Sequence, residues 1–361
     1  MWLDRLLDPF RGKAITIPPL DGALKPNTAL DDAPLLAAVE RPDNLAVADG
    51  RLVFSSGPRL LALRPDACLE ELAVFDHPVT ALAAFADGGL VIGLDDGAIV
   101  FRGGAHHGRT LPGIGPGRLA CPVAIAVMNA TTIVVAQGSA RHRPSDWVVD
   151  LMEKNATGSV WRFDLEDGSA TALGENLAFP HGLLIEADRS IVVAESWRHR
   201  LVRLAADGRG RVEPVLSKLA GYPARLAPAA GGGAWLALFA PRNRLIEFVL
   251  SEDAYRADMI RDVERDFWIA PALSSGRSFL EPLQCGGVRT MGIHKPWAPS
   301  RSYGLVVRLD AALAPVASWH SRADGARHGV TAIVEHEGRL IAAAKGGDAL
   351  VAIAPETETA R

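Results

Sequence analysis

The residue that stands out chemically is Glu195, which closes the apolar run 191–194, where a continuing strand would call for another apolar or small side chain. A carboxylate at the end of such a run, near a histidine and an aromatic, can be desolvated into a general acid or base. It can equally form a structural ion pair with Arg198 or Arg200. His181, between Pro180 and Gly182, is a second proton-transfer candidate or a satisfied structural histidine. Arg225 suits an anionic or carbonyl group of a substrate, and it can also pair with Asp43 and leave no room for a metal. Asp43 and Asn44 offer oxygen ligands to a hard cation, or contacts that polarise a substrate, although both types also form turns. Gln137 and Lys345 close other apolar runs, as do Ser55 and Ser56. His142, Arg143, Trp147, His294, Lys295 and Trp297 lie on loop-like stretches suited to covering a site. The candidate set is therefore Glu195 and His181 for catalysis, with Arg225, Asp43, Asn44, Gln137, His294, Trp297 and Trp147 for substrate and Asp43 and Asn44 for a metal. Chemistry requires a fold that gathers these distant residues.

A repeat supplies that fold. PVTALAAFADGGLVI begins at Pro78, PVAIAVMNATTIVVA at Pro122, PHGLLIEADRSIVVA at Pro180 and PARLAPAAGGGAWLA at Pro223, with shorter copies from Pro42 and His328. Each has a polar or proline-led start, a short apolar strand, a turn and a second apolar strand. The starts are about 36, 44, 58, 43 and 105 residues apart, the range of propeller blades with variable loops. One unit cannot bury its own faces; a ring of them can. The expectation is an all-β, six-bladed β-propeller in one domain, with a seventh blade only if the last gap hides a further copy.

The blades are expected at residues 41–77, 78–121, 122–179, 180–222, 223–327 and 328–361. Residues 1–40 form a lead-in whose segment 14–20 is expected to add the outer strand that closes the ring. Blade three carries an insertion with a short helix at 144–153, capped by Ser145 or Asp146. Blade five carries a larger insertion at 251–302, with a helical stretch at 252–266. The innermost strand of each blade starts beside the central channel. Those positions are Asp43-Asn44, Val79-Thr80, Val123-Ala124, His181-Gly182, Ala224-Arg225 and Gly329-Val330.

Composition narrows the function. A net charge of −4 argues against nucleic acid or an anionic membrane as the main partner, leaving a small molecule. Cys68, Cys121 and Cys285 have no metal-ligand spacing and cannot all pair, which suits a reduced compartment. There is no secretory signal and no run long enough to span a membrane, so a cytoplasmic location is expected. Trp2, Leu3, Leu6 and Leu7 suit a short amphipathic helix, packed on the propeller or touching a membrane. No nucleophile elbow, phosphate-cradling loop or H-E-x-x-H motif is present.

The stretch 150–204, DLMEKNATGSVWRFDLEDGSATALGENLAFPHGLLIEADRSIVVAESWRHRLVRL, resembles the strictosidine synthase-like branch of six-bladed propellers. VTAIVEHEGRLIAAA near the end and PDNLAVADGRLVFSSG near the start extend the likeness. That branch is related to paraoxonases, to gluconolactonase and regucalcin proteins and to adipocyte plasma membrane-associated protein. The resemblance implies that Glu195 matches the acid/base of the synthase, and that Asp43 and Asn44 match an acidic pair holding a central calcium in the lactonases. His181, Val123 and Ala224-Arg225 stand where calcium-dependent members offer Asn or Asp, so most of the implied calcium ligands are replaced. The synthase itself needs no metal. The expected function is lactone or ester hydrolysis, or acid/base condensation, with no required cofactor. The alternatives are a non-catalytic ligand-binding or interaction propeller and, third, a calcium-dependent lactonase.

Overall fold

The computed structural model describes residues 15–111, 120–275, 281, 289–290, 293–294 and 300–354. Six four-stranded antiparallel sheets are arranged as the blades of a propeller. From the axis outward, blade one is Pro42–Ala48, Arg51–Ser56, Arg59–Leu63 and Leu69–Val74. Blade two is Val79–Ala84, Leu90–Leu94, Ile99–Arg102 and Thr110–Leu111, and blade three is Pro122–Asn129, Thr132–Gln137, Gly158–Asp164 and Ala170–Leu177. Blade four is Pro180–Ile185, Ile191–Glu195, Arg200–Leu204 and Glu213–Leu216. Blade five is Gly221–Pro228, Ala234–Pro241, Gly304–Leu309 and Pro315–Ser321. Blade six is Val330–His336, Arg339–Ala344 and Ala349–Ile353, completed by Leu35–Ala38. The long gap before His328 therefore holds the outer half of blade five and not a seventh blade.

Apolar side chains fill the space between every pair of neighbouring blades. A second strand has a blade interface on each face, so both of its sides are buried. This is why runs such as 191–194 read as continuously apolar rather than alternating, and all four residues are fully buried. The innermost strands touch in ring order, and that of blade six meets that of blade one.

The ring closes where Leu35, Ala37 and Ala38 pair with Val351, Leu350 and Ala349. Val39 N–H donates to Asp348 O at 3.0 Å and Ala352 N–H to Pro34 O at 2.9 Å. The expected closing strand at 14–20 is corrected. Its described part forms no sheet, and Pro18 and Pro19 have no amide hydrogens to give a ladder. Instead Leu20 and Leu24 pack on the apolar cluster between blades four and five. The amphipathic segment with Trp2, Leu3, Leu6 and Leu7 lies outside the described residues.

Two insertions carry the helices. In blade three, α1 (Trp147–Met152) follows a 3-10 turn at Pro144–Asp146. The cap expected from Ser145 or Asp146 is corrected: neither side chain caps the helix, and Ser145 N–H and Oγ instead donate to Asp95 of blade two at 2.8 and 2.9 Å. In blade five, α2 (Arg244–Ser251) and α3 (Asp253–Asp262) precede the third strand, so helix begins earlier than the stretch 252–266 suggested. Asn243 caps α2, its Oδ1 accepting from Leu245 N–H at 2.9 Å. The β-branched and aromatic content of LIEFVL masks this helix in the sequence.

Gly182 lets the innermost strands of blades four and five approach. A Cβ there would collide with the Ala224 carbonyl and come within 2.9 Å of Arg225 Cα. Gly182→Ala is expected to cost about 1–3 kcal/mol, as overpacking does, measured as a lower urea midpoint. An unchanged midpoint would show that the two strands have slack.

Candidate functional site

Each innermost strand breaks register at its axial end. The breaks fall between Asp43 and Ala46, Val79 and Ala81, Pro122 and Ala124, Pro180 and Gly182, Pro223 and Leu226, and Val330 and Ala332. A residue bypassed in this way is unpaired in the ladder and free to be re-aimed. The bypassed residues include Asn44, Thr80, Val123, His181, Arg225 and Thr331, one from each blade. Asn44 takes a left-handed conformation, φ 57°, which asparagine tolerates. Six local irregularities thus gather six distant residues at the axis.

Arg225 occupies the centre. Its Nη1 donates to Asp43 Oδ1 at 2.7 Å and Thr331 O at 3.3 Å. Its Nη2 donates to Asn44 Oδ1 at 2.5 Å, Thr80 O at 2.7 Å and Val123 O at 3.1 Å. Asp43 also accepts from Lys345 Nζ at 2.7 Å, Thr331 Oγ1 at 2.8 Å and Asn44 N–H at 2.9 Å. Burial works to raise the Asp43 pKa, but the charges of Arg225 and Lys345 outweigh it and hold the carboxyl well below the usual range. His181 moves the other way from an ordinary histidine. Burial, then the positive charge of Arg225, drive its pKa down to about 3, with Asp43 opposing and Lys345 adding to the fall. The imidazole is neutral, and its buried Nδ1 has no hydrogen-bond partner among the described residues.

Above this floor lies a cavity of about 680 Å³. Its wall is aromatic: Phe179 stacks on Trp197 at 4.4 Å, and Trp147 meets Phe239 edge-on at 5.4 Å. His181 packs edge-on against Phe179 and Phe239 at 5.5 and 5.7 Å. Trp197 is pinned by Nε1–H donating to Asp150 Oδ2 at 2.8 Å, which ties the wall to α1. Asp43, His181, Arg225, Thr331 and Lys345 line the bottom, and Ser55, Ser56, Arg41 and Arg59 lie along the side of blade one. The floor carries two cations and one carboxylate, and of the cations Lys345 is the more exposed, at 25% against 12% for Arg225.

Several sequence expectations need correction. Glu195 is fully buried outside the cavity lining. Its Oε1 accepts from Ala178 N–H at 2.8 Å and Arg198 Nη1 at 2.5 Å, and its Oε2 accepts from Arg200 Nε at 2.5 Å. Both oxygens are engaged in the ion pairs, so Glu195 clamps the edge of blade four and is not placed for proton transfer in the well. Arg225 has its terminal nitrogens engaged by protein oxygens and does not offer them to a substrate. Asn44 is equally occupied, its Nδ2 donating to Ser55 Oγ at 2.8 Å and Val79 O at 3.0 Å. Gln137 and the loop residues His142 and Arg143 do not line the cavity; His142 Nε2 lies 2.7 Å from Glu153 Oε2. Trp147 and His181 do line it. His294 sits on the short strand Ile293–His294, with its side chain outside the described residues, as are Lys295 and Trp297.

A divalent cation does not fit beside Arg225. The oxygens of Asp43 and Asn44 that would bind it already face the guanidinium, and Asp43 also holds Lys345. The metal expectation for Asp43 and Asn44 is corrected accordingly. Among the described residues no cluster of three or more histidines, cysteines or carboxylates is arranged to hold a metal.

Sequence reasoning also missed residues of the well. Thr331 lies two positions beyond the expected start of the sixth innermost strand, and Phe179, Trp197, Phe239 and Asp95 were not singled out. Phe179 and Trp197 flank His181 and Glu195 in the chain, so proximity was an available signal.

The strictosidine synthase family model matches residues 124–208, which span nearly all of blade three and the inner three strands of blade four. The adipocyte plasma membrane-associated protein of Danio rerio is 30% identical over 113 residues, covering 30% of this chain and 27% of that protein. Strictosidine synthase-like protein 10 of Arabidopsis thaliana is 26% identical over 125 residues, 34% of this chain and 33% of its own. These matches thus span about a third or less of the curated relatives' length. A gluconolactonase from Xanthomonas campestris superposes with a TM-score of 0.57 at 16% identity, covering 89% of each chain. A calcium-binding protein, regucalcin, from Agrobacterium tumefaciens gives 0.56 at 13% identity, covering 90% of this chain and 95% of that one. This chain is a six-bladed β-propeller that is similar to the strictosidine synthase family over blades three and four. The two structures share its fold; at such identity they speak to nothing further. No helix of this propeller, among its described residues, is long and apolar enough to cross a membrane.

Two outcomes follow from the site's electrostatics. Glu195→Gln is expected to cost about 2–3 kcal/mol, less than a wholly buried pair because Arg198 and Arg200 reach solvent, with ligand binding in the well preserved. Lost binding in the folded variant would return Glu195 to the site. His181 has a depressed pKa, so its contribution to stability is full above the ordinary value of 6.5 and is lost as pH falls toward 3. His181→Leu is expected to flatten the acid slope of stability by up to about 1.4 kcal/mol per pH unit between pH 6 and 4. Parallel wild-type and variant slopes would mean that His181 titrates normally.

Proposed function

We propose that the axial well binds and transforms a small organic molecule with a flat apolar body and a polarised carbonyl, and that the propeller is a hydrolase-type enzyme acting on lactones or esters. The supporting observation is an aromatic-walled cavity whose floor holds the ammonium of Lys345. An ammonium has three N–H donors, and the Asp43 carboxylate takes one of those of Lys345. The others can meet a carbonyl oxygen as it gains negative charge, beneath a wall of aromatic rings. Asp43 fixes the ammonium, Arg225 fixes Asp43, and neutral His181 hydrogen-bonds a substrate atom or the attacking water. The likeness to the strictosidine synthase family over blades three and four supports an enzyme of this general kind.

A second reading, a non-catalytic ligand-binding propeller, draws on one specific observation. The carboxylates expected to do chemistry are tied up, Glu195 by two arginines and Asp43 by Arg225 and Lys345. Screening lactones, aryl esters and amine–aldehyde pairs for both turnover and binding separates the readings. Lys345→Met is expected to lower kcat for an accepted lactone or ester by about 10²-fold or more, with the fold intact. Binding without turnover across the panel would leave the ligand-binding reading in place.

A further inference from the structure

Five oxygens from four blades converge on the two terminal nitrogens of Arg225: Asp43 Oδ1, Asn44 Oδ1 and the carbonyls of Thr80, Val123 and Thr331. Each points the negative end of a charge or dipole at one small region. Without a cation among them the innermost strands of blades one, two, three and six would repel one another at the axis. A carboxylate, a side-chain amide and several main-chain carbonyls also form the set of hard oxygen ligands that divalent cations such as calcium take. A guanidinium fills the same region here. Its positive charge is permanent, it cannot deprotonate, and its planar fork distributes hydrogen bonds to several acceptors at once.

We propose that Arg225 is a tethered cation that takes the place of a divalent metal ion on the propeller axis. It joins blade five to blades one, two, three and six without any exchangeable ligand. The oxygen ring around it remains competent for metal: with the side chain removed, Asp43 Oδ1, Asn44 Oδ1 and the three carbonyls form a site for a hard divalent cation, while Lys345 keeps to the other carboxylate oxygen, Oδ2. Ring closure in the wild-type protein is therefore independent of calcium and insensitive to chelators. This follows from the ring geometry alone and holds whether or not the well is catalytic.

The test compares thermal unfolding of the full-length wild type, Arg225→Ala and the double variant Arg225→Ala/Asp43→Asn in EDTA and in millimolar calcium, with calcium binding measured by calorimetry. The wild type should show one midpoint in both buffers and no binding at the axis. Arg225→Ala should unfold at a lower temperature in EDTA and rise by several degrees in calcium, as a ligand bound only to the native state requires. The double variant should lose that rise. If Arg225→Ala folds only when calcium is supplied, the inference stands. It is overturned if calcium leaves the midpoint of Arg225→Ala unmoved, or if that variant folds in neither buffer. A wild-type rise equal to that of Arg225→Ala, or a calcium response that survives in the double variant, also overturns it, because the ion would then be binding elsewhere.

Discussion

Strands that start at a common axis bring oxygen dipoles together, and a cation among them relieves the repulsion that this crowding creates. Here one guanidinium does so. Arg225 draws in Asp43 and Asn44 of blade one, the carbonyls of Thr80 and Val123, and Thr331 of blade six. The rest of the floor follows from its charge. Asp43 stays ionised despite burial because Arg225 and Lys345 face it, and His181 stays neutral because burial and the same positive charge disfavour a further proton. Lys345, whose ammonium has three N–H donors, meets Asp43 Oδ2 among the described residues, and that carboxylate is shared with Arg225.

The architecture was legible because the second strands of the blades are buried on both faces, which leaves runs such as 191–194 and 133–136 without polar interruption. Outer strands carry no such signal. Leu69–Val74 is mostly exposed, and the closing strand Leu35–Ala38 is four residues long with both ends exposed. Its identity depends on the partner Ala349–Ile353, far away in the chain. Its apolar pattern does not single it out against the more strand-like 14–20, where Pro18 and Pro19 were the local sign against a ladder.

The site was legible in part, for the same reason in reverse. His181, Arg225, Asp43 and Asn44 were identifiable as polar residues at strand starts, and the structure brings all four to the axis. Their roles were not identifiable, because a role depends on which partner each one meets. The pairing of Arg225 with Asp43 joins residues of blades five and one and was one of two readings open from sequence. Glu195 misled because a carboxylate ending an apolar strand looks the same whether it faces a cavity or a clamp. Two arginines within five residues were the local sign of the clamp. Thr331 was missed because the register break between Val330 and Ala332 exists only in the paired sheet.

This division of labour constrains how the well can be tuned. The floor is also the closure of the ring, so a change at Arg225, Asp43 or Asn44 acts on stability and on the site together. The wall is different. Trp147 arrives on α1, part of an insertion held to blade two through Ser145 and Asp95, and Trp197 is fixed to the same helix by Asp150. Neither residue bonds to the axial ring. Aromatic shape can therefore change by substitution in the insertion while the charges beneath it stay where Arg225 holds them. Under the proposed function, selectivity for the body of a ligand and polarisation of its reactive end would be separable, one carried by the aromatic wall with its inserted helix and the other by the charges that close the propeller.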